Sequence, residues 1–190
     1  MSIAHGIRTL GVLGAGQMGT GIALVSALRA RVPVLLYDRS TEQVTKGLSL
    51  MDKLLAKDVV KGRLSSEEAK EARDRVSAVA PEAGIKGMRD VDMVIEVTCL
   101  YLILRTATKT NQAVSESLPL KQSIFASFAA ELAPEAILAT NTSSISITKI
   151  AASATPAGVN SASQEGKSSA GRVVGKNIIL SVEYSFNPCN

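Results

Sequence analysis

The feature that most constrains the fold is a glycine-rich turn between an apolar run and a helical pattern. The apolar run at residues 10–13 leads into the turn sequence GAGQMG at residues 14–19, and apolar residues at helical spacing follow up to residue 28. A second apolar run over residues 32–37 ends at Asp38. Strand, glycine turn, helix, strand and acid within about 30 residues are typical of a dinucleotide-binding βαβ unit. A glycine motif alone also occurs as a turn in unrelated α/β proteins, and here the flanking elements favour the dinucleotide site.

Each residue of the turn has a chemical reason to be there. Gly14 permits the tight turn after the strand, Gly16 lets a pyrophosphate approach the backbone, and Gly19 lets the helix pack closely on the sheet. The helix start at Gln17 and Met18 offers free N–H groups and the positive end of the helix dipole. These five residues are therefore predicted to form the cofactor-binding turn.

The acid after the second strand predicts which dinucleotide is bound. The Asp38 carboxylate accepts hydrogen bonds from an adenosine ribose and repels a 2′-phosphate, so we predict NAD rather than NADP. The adjacent Arg39 carries a charge that softens this preference.

Composition excludes several other classes. The chain of 190 residues is 46% hydrophobic and 20% charged, as in globular proteins. Its net charge of +4 is dispersed, without the basic blocks typical of nucleic-acid binding. Its longest apolar run, at residues 97–104, is too short to span a bilayer. Cys99 and Cys189 lack metal-ligand spacing, so we expect no metal site. No presequence is visible, and the cytoplasm or the mitochondrial matrix is the expected compartment.

Strands alternate with helices along the chain, which predicts an α/β fold with a Rossmann-type, doubly wound parallel sheet. The predicted strands cover residues 9–13, 32–37, 76–80, 92–97 and 136–140. The predicted helices cover residues 17–30 and 118–132, with a helical pair between residues 40 and 75. The pair is longer than a crossover requires, so we expect it to project as an antiparallel hairpin whose first helix is capped by Ser40.

We assign residues 1–175 to one NAD-binding domain with two irregular segments. Residues 97–112 form an atypical insertion, and residues 153–171, rich in Ser, Ala and Gly, are predicted to be a flexible loop. Residues 176–190 form an atypical tail.

Five separated motifs resemble the NAD-binding domain of the 3-hydroxyacyl-CoA dehydrogenases, particularly the 3-hydroxybutyryl-CoA branch. They are GVLGAGQMGTGIA, LLYDRS, DMVIE, AVSESLPLKQSIFASF and ILATNTSSISITKIA. The resemblance implies hydride transfer between the 3-hydroxyl of an acyl-CoA and NAD in fatty acid metabolism, with a histidine as general base. It also implies a homodimer formed mainly by a C-terminal helical domain, for which this chain has no matching sequence.

The resemblance also assigns roles to individual residues. Glu116 and Lys121 match cofactor contacts near the nicotinamide, and Ser143 matches the serine that contacts the substrate oxygen. Lys53 and Lys57 match a lysine pair associated with the CoA moiety, and their i, i+4 spacing puts both ammonium groups on one helix face. Alternatively, the two lysines are solvated charges on an exposed helix, and the serine is part of a helix N-cap.

The catalytic histidine of the family has no counterpart in the matching position. The family motif resembles GLHFFNPVP after RVVG, whereas this chain reads RVVGKNIILSVEYSFNPCN, and its single histidine is His5. If Phe186 begins the matching FNP, Tyr184 stands in the place of the histidine. An unperturbed tyrosine has a pKa near 10 and is a poor general base at neutral pH.

The insertion has two interpretations. Without residues 97–112 the chain reads DMVIEAVSESLPLK, which is the family pattern without a gap. A Val codon begins with GT and one Gln codon ends with AG, so the block has the ends of a translated intron. Our hypothesis is that residues 176–190 are translated intron as well. The alternative is a genuine loop insertion, which surface loops tolerate well.

Three functions follow from these observations. The chain is an NAD-dependent 3-hydroxyacyl-CoA dehydrogenase or the NAD-binding half of one, a catalytically silent NAD-binding module, or a mis-spliced fragment without function.

Overall fold

The computed structural model describes residues 6–98, 117–142, 145–155, 158–160 and 163–175, which contain a six-stranded parallel sheet. The strands are β1 (Leu10–Leu13), β2 (Val34–Tyr37), β3 (Val76–Ala78), β4 (Met93–Glu96), β5 (Ile137–Thr140) and β6 (Val173–Gly175). Their order across the sheet is β3-β2-β1-β4-β5-β6, and every neighbouring pair is parallel. This is the doubly wound Rossmann order, which confirms the predicted fold class.

The helices lie between the strands, as the predicted alternation requires. They are α1 (Gln17–Val25), α2 (Thr41–Val60), α3 (Ser66–Asp74), α4 (Leu118–Glu131), α5 (Ile147–Ala151) and α6 (Gln164–Gly171). A π-helical turn, Ser26–Ala30, extends α1 to the predicted end of that helix and closes at Arg31, whose φ is 55°. Among the described helices, none combines the length and apolar character that crossing a bilayer requires.

The central strands are apolar throughout because both faces of the sheet are covered. All four residues of β1 are buried, as are the last three of β4 and of β5. One apolar cluster joins the sheet to α1, α2 and α3, and a second joins it to α4 and α5. Near-continuous apolar runs are therefore the strand signal in this chain, as in other buried parallel sheets.

The helices α2 and α3 form the predicted hairpin. The Ser40 hydroxyl accepts a hydrogen bond from the Gln43 N–H at 3.3 Å and caps α2, and Ser65 with Glu68 forms a capping box at the start of α3. Gly62, with φ of 67°, lies in the turn between the two helices. The hairpin also contributes to the core, because α2 buries an apolar face against α1 and α3.

Two parts of the sequence-based prediction differ from the structure. The loop predicted over residues 153–171 is wrong for Gln164–Gly171, which is helix α6, capped by the Ser163 hydroxyl on the Gly166 N–H at 3.1 Å. This helix buries little apolar surface, so it lacks the periodicity on which helix prediction depends. Strand β6 was not predicted because it is a three-residue edge strand in which only Val173 is buried. Residues 99–112 of the insertion and the tail at 176–190 lie outside the described residues.

Candidate functional site

The glycine turn lies at the carboxyl edge of the sheet, where β1 separates the two halves of the fold. Gly14 has φ of +112°, a left-handed conformation that side chains rarely adopt. Its N–H donates to the Tyr37 carbonyl at 2.7 Å, and an added Cβ would lie 2.9 Å from the Val97 carbonyl oxygen. The turn is therefore wedged between the ends of β2 and β4, which requires glycine at this position.

Gly19 and Gly16 are glycines for two different reasons. A Cβ on Gly19 would lie 1.7 Å from the Gly14 carbonyl oxygen, so the first turn of α1 packs directly on the chain leaving β1. Gly16 has φ of −68° and ψ of −178°, which any residue adopts, and an added Cβ would meet no protein atom within 4 Å. The fold alone does not require glycine at 16, and the space beside its backbone is open to a ligand.

The N-terminus of α1 has the properties of an anion-binding site. No side chain caps this helix at Gly16 within the described residues, and the neighbouring Gln17 and Met18 are exposed. The first N–H groups of a helix have no helical acceptor, and the helix dipole makes this end positive. An uncapped helix start beside an open glycine backbone therefore fits the pyrophosphate of a dinucleotide.

Asp38 ties the end of β2 to the turn. Its Oδ2 accepts from the Ala15 N–H at 2.8 Å, and its Oδ1 accepts from the Ser40 N–H at 2.9 Å. A carboxylate has about four acceptor sites, so capacity for two ribose hydroxyls remains on this half-buried side chain. The position fits the predicted ribose contact and adds a structural role that the sequence pattern does not indicate.

Helix α2 is docked on the same turn through Gly47. An added Cβ at Gly47 would lie 2.6 Å from Thr20 Oγ1 and 3.0 Å from the Ala15 carbonyl oxygen. The Thr20 hydroxyl is itself fully buried and lies 3.2 Å from that carbonyl. The absence of a side chain at Gly47 therefore sets the distance between α2 and the turn.

The two lysines predicted to contact CoA are exposed on α2. Lys57 lies one turn beyond Lys53, and both side chains are solvent-accessible. Lys53 borders a surface depression of about 330 Å³, together with Thr45, Lys46, Ser49 and Leu50. Both side chains are therefore accessible to solvent, four residues apart on α2.

Lys121 is buried at the start of α4 and paired with Glu96, the last residue of β4. Lys121 is 1% exposed and Glu96 is 0% exposed. The ammonium donates to Glu96 Oε2 at 2.7 Å and to Oε1 at 2.9 Å. The resemblance implies that Lys121 is a cofactor contact near the nicotinamide. In the structure its ammonium lies at the carboxyl edge of the sheet and is directed to the Glu96 carboxylate.

The Glu96 carboxylate accepts further hydrogen bonds from both sides. The Thr140 hydroxyl, at the end of β5, donates to Oε2 at 2.6 Å, and the Thr98 N–H donates to Oε1 at 2.6 Å. The Thr98 hydroxyl donates to Oε1 as well. These donors, with Lys121, fill the acceptor sites of the carboxylate, so Glu96 has no lone pair free to act as a general base.

The remaining predicted residues lie outside the described residues. These are Glu116 and Ser143, together with His5 and Tyr184. Thr142, next to Ser143, is buried, and its hydroxyl accepts from the Ile145 N–H at 3.2 Å. This bond anchors the turn that follows β5 at the same edge of the sheet as the glycine turn.

A larger depression, of about 550 Å³, lies at the opposite, amino edge of the sheet. Asp92 lines it and accepts from the N–H groups of Arg8 and Thr9, at 2.8 Å and 2.9 Å, and from the Arg8 guanidinium. The hydrogen bonds from Arg8 lower the pKa of Asp92 to about 2. This network closes the start of β1 onto β4 and is remote from the glycine turn.

The topology and the geometry of the turn together define the class of this protein. A parallel sheet in this order, with an open glycine turn at its switch point and an acid at the end of β2, is a dinucleotide-binding Rossmann domain.

Comparison with known proteins identifies the family. The sequence model described as "3-hydroxyacyl-CoA dehydrogenase, NAD binding domain" matches residues 9–158. The chain therefore belongs to the family of 3-hydroxyacyl-CoA dehydrogenase NAD-binding domains, which confirms the resemblance inferred from its motifs.

Individual relatives are similar to this chain over part of their length. It is 39% identical over 146 residues to the 3-hydroxybutyryl-CoA dehydrogenase of Bradyrhizobium diazoefficiens, covering 77% of this chain and 43% of that protein. It is 37% identical over 149 residues to the fatty acid oxidation complex subunit alpha of Pseudomonas entomophila, covering 78% of this chain and 18% of that protein. The crystal structure of the Escherichia coli 3-hydroxybutyryl-CoA dehydrogenase superposes with a TM-score of 0.67 at 33% identity, covering 89% of this chain and 29% of that one. The chain thus spans less than half the length of each of these proteins.

Proposed function

We propose that this chain provides the NAD-binding part of an NAD-dependent 3-hydroxyacyl-CoA dehydrogenase. The single observation that carries the proposal is the turn from Gly14 to Gly19, which leaves an open backbone at an uncapped helix start, with Asp38 bonded to it. The names of the relatives, which include 3-hydroxybutyryl-CoA dehydrogenase, support the acyl-CoA chemistry.

In this proposal the described residues bind and orient the cofactor. The N–H groups at the start of α1 bind the pyrophosphate, and the free acceptor sites of Asp38 bind the adenosine ribose. When bound, NAD supplies the hydride acceptor for oxidation of a 3-hydroxyl group. The end of β4 and the start of α4 lie on the other side of the switch point, where the nicotinamide half of the cofactor is expected.

Calorimetric titration of the 190-residue chain with NADH and NADPH tests the cofactor assignment. We expect NADH to bind and NADPH to bind at least about tenfold more weakly, because the Asp38 carboxylate repels a 2′-phosphate. No heat of binding with NADH, or equal affinity for the two, would contradict the proposal.

The substrate part of the proposal rests on the lysine face of α2. Lys53 and Lys57 are placed to contact the phosphates of CoA as point charges, beside the depression that Lys53 borders. We expect the double variant Lys53→Gln and Lys57→Gln to bind CoA several-fold more weakly than the parent. The control is the double variant Lys70→Gln and Lys167→Gln, which removes two exposed charges, one from α3 and one from α6. An equal loss of CoA affinity in the control would show that net charge, and not the position of the two lysines, causes the effect.

Two further residues carry roles in this proposal through the family match. Glu116 is assigned to the nicotinamide side of the cofactor and Ser143 to the oxygen of the substrate. Ser143→Ala is expected to weaken binding of acetoacetyl-CoA in the presence of NADH while leaving NADH affinity unchanged. A parallel loss of NADH affinity would assign Ser143 to the cofactor instead.

A second candidate, a silent NAD-binding module, is favoured by the histidine content. The single histidine of the 190 residues is His5, which precedes the first strand. A positioned general acid or base contributes about 10²–10⁴-fold to such a reaction. We expect this chain to bind NADH without consuming it in the presence of acetoacetyl-CoA. Rapid consumption would exclude the silent module, and Tyr184→Phe would then test the tyrosine.

The proposal extends to assembly and compartment. The family resemblance implies a homodimer, which light scattering of the purified chain tests against a monomer. The expected compartment is the cytoplasm or the mitochondrial matrix, and imaging of a fluorescent fusion distinguishes the two.

A further inference from the structure

The Glu96 carboxylate is the point at which three elements of the carboxyl edge are joined. It lies at the end of β4 and accepts from Lys121 on the first turn of α4 and from Thr140 at the end of β5. The backbone at this point is also shared, because the Glu96 carbonyl accepts from the Asn141 N–H at 2.8 Å. A single side chain thus ties the start of α4 to two strand ends that the sheet already holds in register.

This junction is adjacent to the glycine turn. The residue after Glu96 is Val97, whose N–H donates to the Leu13 carbonyl at 2.8 Å and whose own carbonyl lies against Gly14. A shift of Glu96 would therefore move Val97, which follows β4 and borders the turn. The junction forms the β4–β5 side of the crevice, opposite the side that Asp38 occupies.

We infer that Glu96 is a positioning residue for the nicotinamide half of the cofactor site, and that Lys121 acts through Glu96 rather than by touching the cofactor. The inference rests on the proposed function, because it concerns the same site. All three N–H donors of the ammonium are directed inward, two to Glu96 and the third towards the Thr98 carbonyl at 3.5 Å. At 1% exposure, Lys121 presents no donor to the crevice.

Energetics also favours a geometric role. A buried ion pair gives little net stability over apolar residues of similar volume, because the desolvation of both charges offsets their attraction. The hydrogen bonds fix the position of the carboxylate, because only one position satisfies the donors from all three elements. Apolar side chains at these positions would pack without fixing the start of α4 against the two strand ends, whose register the sheet already sets.

The test uses the full chain and two ligands that share the adenine half. In the proposed binding mode the nicotinamide ring of NADH lies on the β4–β5 side of the site, and ADP-ribose lacks this ring. We expect Glu96→Gln and Lys121→Met each to weaken NADH binding about tenfold, with ADP-ribose affinity unchanged. The double variant should be no weaker than the single variants, because the two residues act as one unit.

Thr140→Val is a milder variant that keeps the test usable if the charge variants do not fold. It removes one donor to Glu96, retains the shape of the side chain and leaves the ion pair in place. The expected result is the same selective loss of NADH affinity, smaller in size, with a smaller drop in melting temperature than in the charge variants. Asp52→Asn is the matched control, because it removes a carboxylate paired with Arg73 on the exposed hairpin.

The possible outcomes are distinct. If Lys121→Met weakens NADH binding and Glu96→Gln does not, Lys121 touches the cofactor and the inference is wrong. A parallel loss of ADP-ribose and NADH affinity would leave only a general structural role, which also overturns it. If the parent chain binds ADP-ribose and NADH equally, there is no nicotinamide subsite for Glu96 to position. Failure of the parent to bind either ligand contradicts the proposed function itself.

Discussion

The backbone N–H of Ala15 donates a hydrogen bond of 2.8 Å to Oδ2 of Asp38. Asp38 is expected to bind the ribose, and the turn that contains Ala15 is expected to bind the pyrophosphate. The hydrogen bond joins these two parts of the site. A substitution at Asp38 is therefore expected to affect both the ribose contact and the position of the turn.

The first prediction separates these two roles of Asp38. Asp38→Asn keeps an oxygen for one backbone N–H and removes the charge, whereas Asp38→Ala removes the acceptors as well. We expect both variants to narrow the ratio of NADH to NADPH affinity, because the repulsion of a 2′-phosphate is gone. We expect Asp38→Ala alone to lose about a further tenfold in NADH affinity, since the turn loses its hydrogen bond.

Titration of each variant with both cofactors measures the effect, and Asp74→Ala, an exposed acid on α3, is the control. An unchanged affinity ratio in both Asp38 variants would show that Asp38 does not select the cofactor.

The second prediction is that a substitution at Gly16 abolishes cofactor binding with little effect on stability. An added side chain there meets no protein atom within 4 Å, and the backbone is in a conformation that valine adopts. We expect Gly16→Val to change the free energy of unfolding by no more than about 1 kcal/mol, the scale of a helix-cap substitution. We expect NADH binding to be lost, because the side chain occupies the space of the pyrophosphate.

Urea denaturation and calorimetry test the two halves of this prediction. Gly171→Val is the matched control, because it also adds a side chain to open space, at the end of α6. If Gly16→Val retains its NADH affinity, the pyrophosphate does not bind at this turn.

The βαβ unit could be predicted from the sequence because its signals are local. Glycine spacing, a helix start and an acid after an apolar run all lie within residues 10–38, and the structure places them as predicted. The Ser40 cap is likewise encoded by adjacent residues. Helix α6 is the contrary case, because its cap is local but its lack of apolar periodicity hides the helix.

The Glu96–Lys121 pair could not be predicted, because its partners are 25 residues apart in sequence. The resemblance assigns Lys121 a cofactor contact, but nothing in the sequence pairs it with the glutamate at the end of an apolar strand. Only the crossover from β4 to α4, with Thr140 brought alongside by β5, makes them a buried cluster. The docking of Gly47 on Thr20 is of the same kind, because contact between helices decides it.

The third prediction follows from the lowered pKa of Asp92. The pKa is about 2 in the folded chain against an ordinary value of 3.8, chiefly because Arg8 donates to the carboxylate. A lowered folded-state pKa gives stability that is complete above pH 3.8 and is lost as the pH falls towards 2. We expect the stability difference between the parent and Asp92→Asn to shrink over this interval.

Urea denaturation at several pH values measures that difference. Asp90→Asn is the control, since Asp90 lines the same depression and is exposed. A difference that stays constant over this interval would show that the charge of Asp92 does not stabilise the fold. Because Arg8 is 87% exposed, added salt should reduce its contribution.

The fourth prediction tests whether Gly47 sets the position of the cofactor turn. Gly47→Ala places a Cβ 2.6 Å from Thr20 Oγ1 and 3.0 Å from the Ala15 carbonyl oxygen, closer than atoms pack. We expect a loss of about 1–3 kcal/mol in the free energy of unfolding, as for other overpacked sites. NADH affinity should fall as well, because α2 presses on the turn that Ala15 belongs to.

A double-mutant cycle with Thr20→Ala shows whether this contact is the cause. Removing Thr20 Oγ1 leaves room for the new Cβ, so Gly47→Ala should cost less in the Thr20→Ala background than in the parent. Gly21→Ala is the control, because Gly21 lies on α1 with open space around it and the change should be neutral or stabilising. If Gly47→Ala has the same cost in both backgrounds, the clash with Thr20 is not what limits the approach of α2. If stability falls while NADH affinity is unchanged, α2 supports the fold without setting the geometry of the turn.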